Sequence, residues 1–587
     1  MVPAATAKYD WILAIATIAF VFAAFGNGAN DVANSYATSV AARTLTMAQA
    51  GIISVVTEFV GAVALGARVT STIKNGIMTI DKFKDSPGAL MLVMSCAEVG
   101  NAIWLMVATR LGFPVSTTHT AVGSLIGAGI ASQSSIKWAW KSGSVSQIAA
   151  SWVISPLIAG VFGAIIFGSV KYSVLERKDP LKWAMRLIPV YLALTGAILA
   201  LFIVIEAPTA PSLEEFGAGK AIGIIFGVFG ACLLIAYVFF MPYFERRILK
   251  KDTRVKAYHI PLGPLLRKES PPLYWPSKSD KYVEDYYEDT YRGAHTNDTD
   301  EGSMHKRRIT PATTPPQDSP HVQIANNKAD NIGVHPNSDP ERAAAEDTSV
   351  ARSAPRRTHP EPYERFVGPV KHLSWANPAK WWGYFKFVTL QGVTRDVLGH
   401  DSSLLHAVHG SAKIYDVRVE HLWTYCQVVS AMMMSIAHGS NDVANAVGPW
   451  AAVYDTYRVG RTSTRSPTPV WFLVIAGLLL GLGFWVYGYH IVRSLGNRIT
   501  RMSPTRGFAV ELGAAITVLI ASRLGLPVST TQSLVGSTVG VALMNYDLGA
   551  VNWRQLLWIF GGWVLTLPVA GGISGLLCLL ALNAPHL

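Results

Sequence analysis

Two stretches of this chain place expensive polar groups inside otherwise apolar runs. Gly26-Asn27-Gly28-Ala29-Asn30-Asp31-Val32-Ala33-Asn34 carries two glycines, three amides and a carboxylate, and Ala437-His438-Gly439-Ser440-Asn441-Asp442-Val443-Ala444-Asn445 offers an equivalent set. An ionisable group in an apolar helix is rare and faces a polar path or a partner, while clustered glycine lets the helix unwind so that carbonyls can coordinate a cation. Carboxylate, amide and backbone oxygens suit a hard cation such as sodium. The structural alternative is that these residues only hydrogen-bond helices together. A duplicated Asn-Asp pair with a second Asn one turn later is costly glue, and the balance tips to function.

A second pair of motifs reads as helix starts. Arg110-Leu111-Gly112-Phe113-Pro114-Val115-Ser116-Thr117-Thr118 recurs as Arg523-Leu524-Gly525-Leu526-Pro527-Val528-Ser529-Thr530-Thr531. Proline fits a first helical turn, where no backbone donor is lost, and hydroxyls there supply further hydrogen-bonding groups. The free N–H groups and positive dipole end of a helix N-terminus bind anions, phosphate above all. Two copies brought together would aim two such ends at one tetrahedral oxyanion. A single Ser-Thr-Thr run is explained by self-capping of a bend; duplication beside the Asn-Asp motifs favours a site. No Gly-Lys-Ser/Thr phosphate loop is present, so this is not a nucleotide cradle.

Three more carboxylates, Glu58, Glu98 and Glu511, fall in apolar segments, the last two at matching places in the repeat. They are candidates for binding a coupling ion, carrying a proton or making structural hydrogen bonds. His119 faces Gln532 in the repeat alignment and His438 faces Asn27, so histidine breaks the symmetry twice, as a pH-sensitive or a packing residue. Arg110 and Arg523 end their segments, where snorkelling explains them. Cys96, Cys232, Cys426 and Cys578 lack metal-type spacing and read as packing residues.

Elements of membrane length must position these groups. Half of the 587 residues are hydrophobic, only 15% are charged, and mean hydropathy is +0.30, which excludes an ordinary soluble enzyme. Apolar segments lie near 9–27, 47–67, 88–110, 114–133, 146–170, 186–206 and 219–243, then near 422–449, 468–489, 505–523, 527–545 and 555–581. The reading is an all-α polytopic membrane protein of about 12 transmembrane segments. The Ser-Thr-Thr segments either span fully or are re-entrant. The first segment reads as a retained span, since Met1 to Asp10 lacks a basic signal region. The net charge of +12 does not indicate nucleic acid; Arg246, Arg247, Lys250, Lys251, Arg254 and Lys256 flank a span in the positive-inside pattern.

The motifs recur in the same order, and Glu98/Glu511, Val122-Gly123-Ser124/Val535-Gly536-Ser537 and Trp152/Trp563 extend the match. With five spans per copy and two between, the second copy starts an odd number of crossings after the first. The copies then form inverted repeats around a midplane site, a secondary-transporter plan. The chain divides into an N-terminal membrane half at 8–243 (first repeat about 8–170), a large cytoplasmic loop at 244–415, and a C-terminal half at 416–582. The loop's composition predicts disorder through about 275–365, and its Trp375–Val417 part is either an amphipathic surface helix or a small packed subdomain.

At Gly28 to Asn34 and Gly439 to Asn445 the chain resembles the inorganic phosphate transporter (PiT) family of sodium–phosphate symporters, over 8–243 and 420–582, and looks most like its fungal high-affinity members. The resemblance implies sodium-coupled uptake of monovalent phosphate by alternating access in a plasma membrane, both termini outside and the large loop inside, with no cofactor beyond the coupling ion. It implies sodium at Asn30, Asp31, Asn441 and Asp442, and phosphate held by Asn34, Ser116, Thr117, Thr118, Asn445, Ser529, Thr530 and Thr531. Ser440 stands where the first copy has Ala29, so the two cation sites need not be equal. Proton coupling or sulfate transport, a phosphate-sensing receptor, and a membrane-embedded phosphate-ester hydrolase are the rival readings. The last finds no assembled nucleophile–base or metal-ligand motif. A homo-oligomer is left open.

Overall fold

In the computed structural model residues 8–141, 143–206, 217–287, 360–398, 403–462 and 468–584 are described. Among them every regular element is helical. Apolar runs become helices where the chain supplies starts and stops. The first copy contains α1 (Asp10–Ala41), α2 (Met47–Leu65), α3 (Ala67–Gly76), α4 (Pro87–Arg110), α5 (Thr117–Ala131) and α6 (Val145–Leu175). Two further helices follow, α7 (Pro180–Glu206) and α8 (Ile222–Leu249). After the loop come α9 (Pro378–Thr394), α10 (Ser403–Ser411), α11 (Val417–Val459), α12 (Val470–Tyr487), α13 (Tyr489–Leu495), α14 (Pro504–Arg523), α15 (Thr530–Leu543) and α16 (Trp553–Asn583). Thr46 and Gln49 close a capping box at the start of α2, Pro87 and Pro504 open α4 and α14, and left-handed Gly460 ends α11.

Each of the twelve predicted apolar segments is a helix, but among the described residues nine helices are long and apolar enough to cross a membrane. The three that fail are informative. Helix α11 has 43 residues and fails through polarity rather than length. Helices α5 and α15, with 15 and 14 residues, are too short.

Both short helices belong to hairpins. Helix α4 runs beside α1 in the same direction: Gly88 abuts the Tyr9 ring and Gly26 abuts Leu105 and Met106. It ends at the middle of α1, and α5 returns. The two ends of this hairpin meet again, with Thr79 N donating to Ser135 O at 2.9 Å and Lys137 N to Ile77 O at 2.9 Å. The α14–α15 hairpin closes likewise, Asn552 N donating to Ile499 O at 2.8 Å. At each tip the preceding helix stops in a Schellman turn: Phe113 N reaches Ala108 O and Gly112 N reaches Thr109 O, and Leu526 N reaches Ala521 O and Gly525 N reaches Ser522 O. Gly112 and Gly525 have φ of +72° and +67°, which only glycine adopts without strain.

Packing repeats in matched pairs. Helix α1 packs on α4 as α11 packs on α14, and α2 packs on α12. Helix α5 packs on α16, and α15 packs on α6, so each short helix leans on the last helix of the other copy. These contacts bring backbone to backbone: a Cβ on Gly127 would lie 2.0 Å from Gly571 O, and one on Gly540 2.1 Å from Gly160 O.

The expected unwinding at the Asn-Asp motifs is not found. In the first copy it shrinks to one π-turn, Gly28–Val32, inside a continuous helix; in the second copy α11 runs unbroken. The glycines serve packing instead, Gly28 against Leu480 O and Gly439 against Glu58 O. The chain is broken at the hairpin tips.

Both described edges of the central loop are packed. Arg246 donates to Leu266 O, Lys268 O and Glu269 O. Hydrogen bonds from Arg254 and Arg246 hold the Asp252 carboxyl well below its usual range despite partial burial. Tyr287 OH donates to Glu420 at 2.6 Å. Helix α9 packs on α12, Trp485 Nε1 donating to Thr389 O at 2.7 Å, while Trp381, Trp382 and Phe385 stay exposed. The predicted disorder falls mostly on 288–359, outside the described residues.

Candidate functional site

The two hairpin tips meet between the middles of α1 and α11. Asn30 braces the first: its Nδ2 donates to Thr109 Oγ1 at 2.9 Å and Phe113 O at 3.0 Å, and its Oδ1 accepts from Val115 N at 3.1 Å. Asn441 braces the second identically, donating to Ser522 Oγ at 3.1 Å and Leu526 O at 3.1 Å and accepting from Val528 N at 3.2 Å. Both amides, expected at sodium sites, have their side-chain donors and acceptor committed to the loops. Ser116 and Ser529 cap α5 and α15, accepting from His119 N and Gln532 N, each at 3.2 Å. The tips also clasp each other, Thr118 Oγ1 donating to Val528 O at 2.9 Å and Thr531 Oγ1 to Val115 O at 3.2 Å.

The carboxylates sit behind these tips, fully buried. Asp31 Oδ2 accepts from Thr117 N at 3.1 Å and Thr117 Oγ1 at 2.7 Å, and Oδ1 accepts from Thr531 Oγ1 at 2.6 Å and Asn34 Nδ2 at 3.1 Å. Asp442 Oδ2 accepts from Thr530 Oγ1 at 2.7 Å, with Thr117 Oγ1 at 3.5 Å. Oxygen atoms of Asp31 and Asp442 and a ring nitrogen of His438 all lie within 4.8 Å of one another. Two carboxylates this close and this buried cannot both stay ionised without positive charge between or beside them.

Spare polar atoms around them are mostly acceptors. Among the described residues Asn27 Oδ1, Asn34 Oδ1, Asn445 Oδ1 and Asp442 Oδ1 have no hydrogen-bond partner. The network fixes the amide orientations. Asn34 Nδ2 faces the Asp31 carboxylate and Thr531 Oγ1 at 2.8 Å. Asn445 Nδ2 faces Thr117 Oγ1 at 3.0 Å and Thr118 Oγ1 at 3.2 Å, hydroxyls that already donate elsewhere. Both Oδ1 atoms are thus true spare acceptors, suited to a hard cation or to a proton on a bound acid.

Conversely, the threonine side chains that would recognise an oxyanion are spoken for. The hydroxyls of Thr117 and Thr530 donate to Asp carboxylates, Thr118 to a backbone carbonyl, and Thr531 to both kinds.

A match to the family model described as "Phosphate transporter family" covers residues 27–574, both hairpins and both Asn-Asp motifs. The chain belongs to the phosphate transporter family. This transporter is 38% identical to the phosphate-repressible phosphate permease pho-4 of Neurospora crassa, over 99% of its own length and 98% of the permease. It is 27% identical to the mouse sodium-dependent phosphate transporter 1, over 97% and 95% of the two chains. Among solved structures it shares the fold of one described as "The sodium-dependent phosphate transporter", with a TM-score of 0.62 and 24% identity, covering 98% of this chain and 100% of that one. Family and relatives are transporters, not enzymes.

The structure of the transporter also separates the three glutamates. Glu58 joins the site through His438: its Oε2 lies 2.7 Å from His438 Nδ1, and His438 Nε2 lies 3.3 Å from Asp442 Oδ2. Ser435 Oγ donates to Glu58 Oε1 at 2.5 Å. Glu511 accepts from Thr38, Ser39, Ser430 and Gln427. Glu98 accepts from no described residue. Of the contributors not singled out from sequence, which include Thr109 and Ser522 at the braces and the four donors to Glu511, two lie beside flagged groups: Ser435, and Asn101, whose Nδ2 donates to Asn445 O at 3.3 Å. Each stands three residues from a flagged group, His438 and Glu98, and that helical spacing was the available signal.

Proposed function

We propose that this phosphate transporter carries inorganic phosphate together with sodium by alternating access, with cations at Asp31 and Asp442 and the anion between the N-termini of α5 and α15. The observation that carries the reading is the engagement of the threonine hydroxyls by the two aspartates. A cation beside each carboxylate, completed by Asn34, Asn445 and Asn27 oxygens, competes for the lone pairs that hold those hydroxyls. Thr117, Thr530 and Thr531 can then turn to phosphate, joined by the positive ends of two helices. Sodium prepares the anion's donors and cancels the charge that would repel it. Asn30 and Asn441 serve from behind, by fixing the hairpin tips on which the threonines ride.

The matched helix contacts support two inverted repeats. If α4–α5 and α14–α15 are re-entrant hairpins, five crossings (α1, α2, α6, α7 and α8) precede α11. Five is odd, so the copies keep the opposite orientation obtained from counting every segment as a span. The basic run after α8 supports a cytoplasmic loop with both termini outside, and the family resemblance supports a plasma membrane. The Asn297-Asp298-Thr299 sequon, outside the described residues, then stays unglycosylated; a glycan there reverses the topology.

Uptake by purified protein in proteoliposomes, under separate sodium and proton gradients, tests the function. Sodium-driven phosphate accumulation is the expected result. Accumulation driven by protons alone would move the coupling to the Glu58–His438–Asp442 chain, and binding without flux would make the protein a receptor.

A further inference from the structure

Glu98 and Glu511 occupy matching places on α4 and α14, and both are fully buried. Their surroundings are opposite. Glu511 Oε1 accepts from Thr38 Oγ1 at 2.6 Å, Ser39 Oγ at 2.6 Å and Gln427 Nε2 at 3.3 Å, and Oε2 accepts from Ser430 Oγ at 2.6 Å. Both oxygens of Glu98 lack a hydrogen-bond partner among the described residues. In the register set by Asn30 and Asn441, the positions of Gln427, Ser430, Thr38 and Ser39 are taken by Ala16, Ala19, Pro449 and Trp450. Three of these have no side-chain donor, and the Trp450 indole N–H is engaged by Thr17 Oγ1 at 3.1 Å. The repeat has kept the carboxyl and removed its cage.

Helices α1, α11, α16 and α5 pack around α4, and among the described residues none of them gives Glu98 a hydrogen bond. Asp31, His119, His438 and Asp442, the titratable groups of those helices nearest the hairpin tips, make their contacts elsewhere. An ionised carboxylate with neither donor nor counter-charge is untenable in such a place, whereas the acid form needs only one acceptor.

We propose that Glu98 is a proton-binding site of the transport cycle, a carboxylic acid while enclosed that exchanges its proton with water when the helices around it separate. The step is a simple acid–base exchange: a carboxylate oxygen takes one proton from water on closing and returns it on opening. Glu511 has four donors able to stabilise a charge, which Glu98 lacks. The two halves thus handle their glutamates differently, and one of them links the cycle to protons without passing through the aspartate site. The place of this exchange in a cycle rests on the symport reading; the protonation state itself does not.

Infrared difference spectroscopy of the full-length protein in lipid nanodiscs, combined with sodium titration in the absence of phosphate, tests both independently of flux. With sodium bound at the aspartates, the expected result is a protonated-carboxyl component at neutral pH that is lost in Glu98→Gln and kept in Glu511→Gln, with sodium stoichiometry and affinity unchanged in Glu98→Gln. A wild-type spectrum with no protonated-carboxyl component that Glu98→Gln removes overturns the proposal. Loss of one sodium in Glu98→Gln overturns it too, by showing that the carboxylate holds a metal cation. Failure of Glu98→Gln to fold also contradicts it, because glutamine copies the shape and neutrality of the acid. Failure of sodium-driven uptake in proteoliposomes, by contrast, bears on the symport reading alone.

Discussion

Asp31 and Asp442 stand at the same position in their two copies, one on the π-turn of α1 and the other in unbroken α11. Asp31 accepts four hydrogen bonds, two of them from Thr117, and both its oxygens are satisfied. Asp442 keeps Oδ1 without a partner and has His438, backed by Glu58, beside Oδ2. The first copy offers Asn27 where the second has His438, and that amide reaches across to Asp442 O at 2.7 Å. The halves share the braces and the capped tips, and differ at the charged centre. Symmetry here preserves the braced hairpin tips, while the charged groups differ, one a carboxylate with both oxygens satisfied and the other a more open one.

The aspartate variants should give the largest effects. Asp31→Asn sets an amide against committed donors and removes charge-assisted hydrogen bonds, lowering stability by about 1.5–3 kcal/mol as well as weakening sodium binding. Asp442→Asn should weaken sodium binding by a comparable factor while leaving thermal stability nearly unchanged, because one oxygen is unpartnered. Melting curves beside sodium titrations check this; equal stability losses would erase the distinction, and normal sodium-dependent uptake in both variants would remove the cation assignment.

The braces are the control for that comparison. Asn30→Ala and Asn441→Ala each strand buried groups of a hairpin loop, and each should lower stability by about 1–3 kcal/mol, to the same degree. A large difference between them would mean that the tips are not equivalent. The narrowest test is His438→Asn, which gives the second copy the residue of the first. It leaves a buried Glu58 oxygen short of a partner, a loss of about 1–3 kcal/mol, and it should bring the sodium affinities of the two sites closer together.

Much of this was legible in the sequence. The two polar motifs, the paired helix starts and the order of the repeat mark the residues that the fold gathers, because buried charge and duplicated Gly-x-Pro-Val-Ser-Thr-Thr are strong local signals. The roles of the amides within the motif were not. Asn30 and Asn34 look alike in sequence, yet one spends all its polar atoms on the 113–115 loop and the other keeps a spare oxygen. That depends on which partners lie across the interface, which neighbouring residues do not encode. The unwinding expected from glycine failed for a similar reason, since Gly28 and Gly439 are needed for close helix packing. The hairpins were half visible: Gly112 and Gly525 are stop signals as clear as the proline that follows is a start. The fate of the glutamates was invisible, because Glu511 draws its donors from α1 and α11 and Glu98 has none among the described residues.

The central claim is that sodium releases the threonine hydroxyls from the aspartates for the anion. Equilibrium titration of phosphate onto purified transporter, with and without sodium, in the wild type and in Thr117→Val, tests it most directly. Thr117 is the sharpest probe because its hydroxyl lies 2.7 Å from Asp31 and 3.5 Å from Asp442. Sodium should raise phosphate affinity, and phosphate should raise sodium affinity by the same factor. Thr117→Val should lower phosphate affinity in sodium by about 1–3 kcal/mol, roughly 5- to 150-fold, while disturbing sodium binding without phosphate much less. Phosphate affinity that ignores sodium, or a valine variant that binds phosphate normally, would contradict the account.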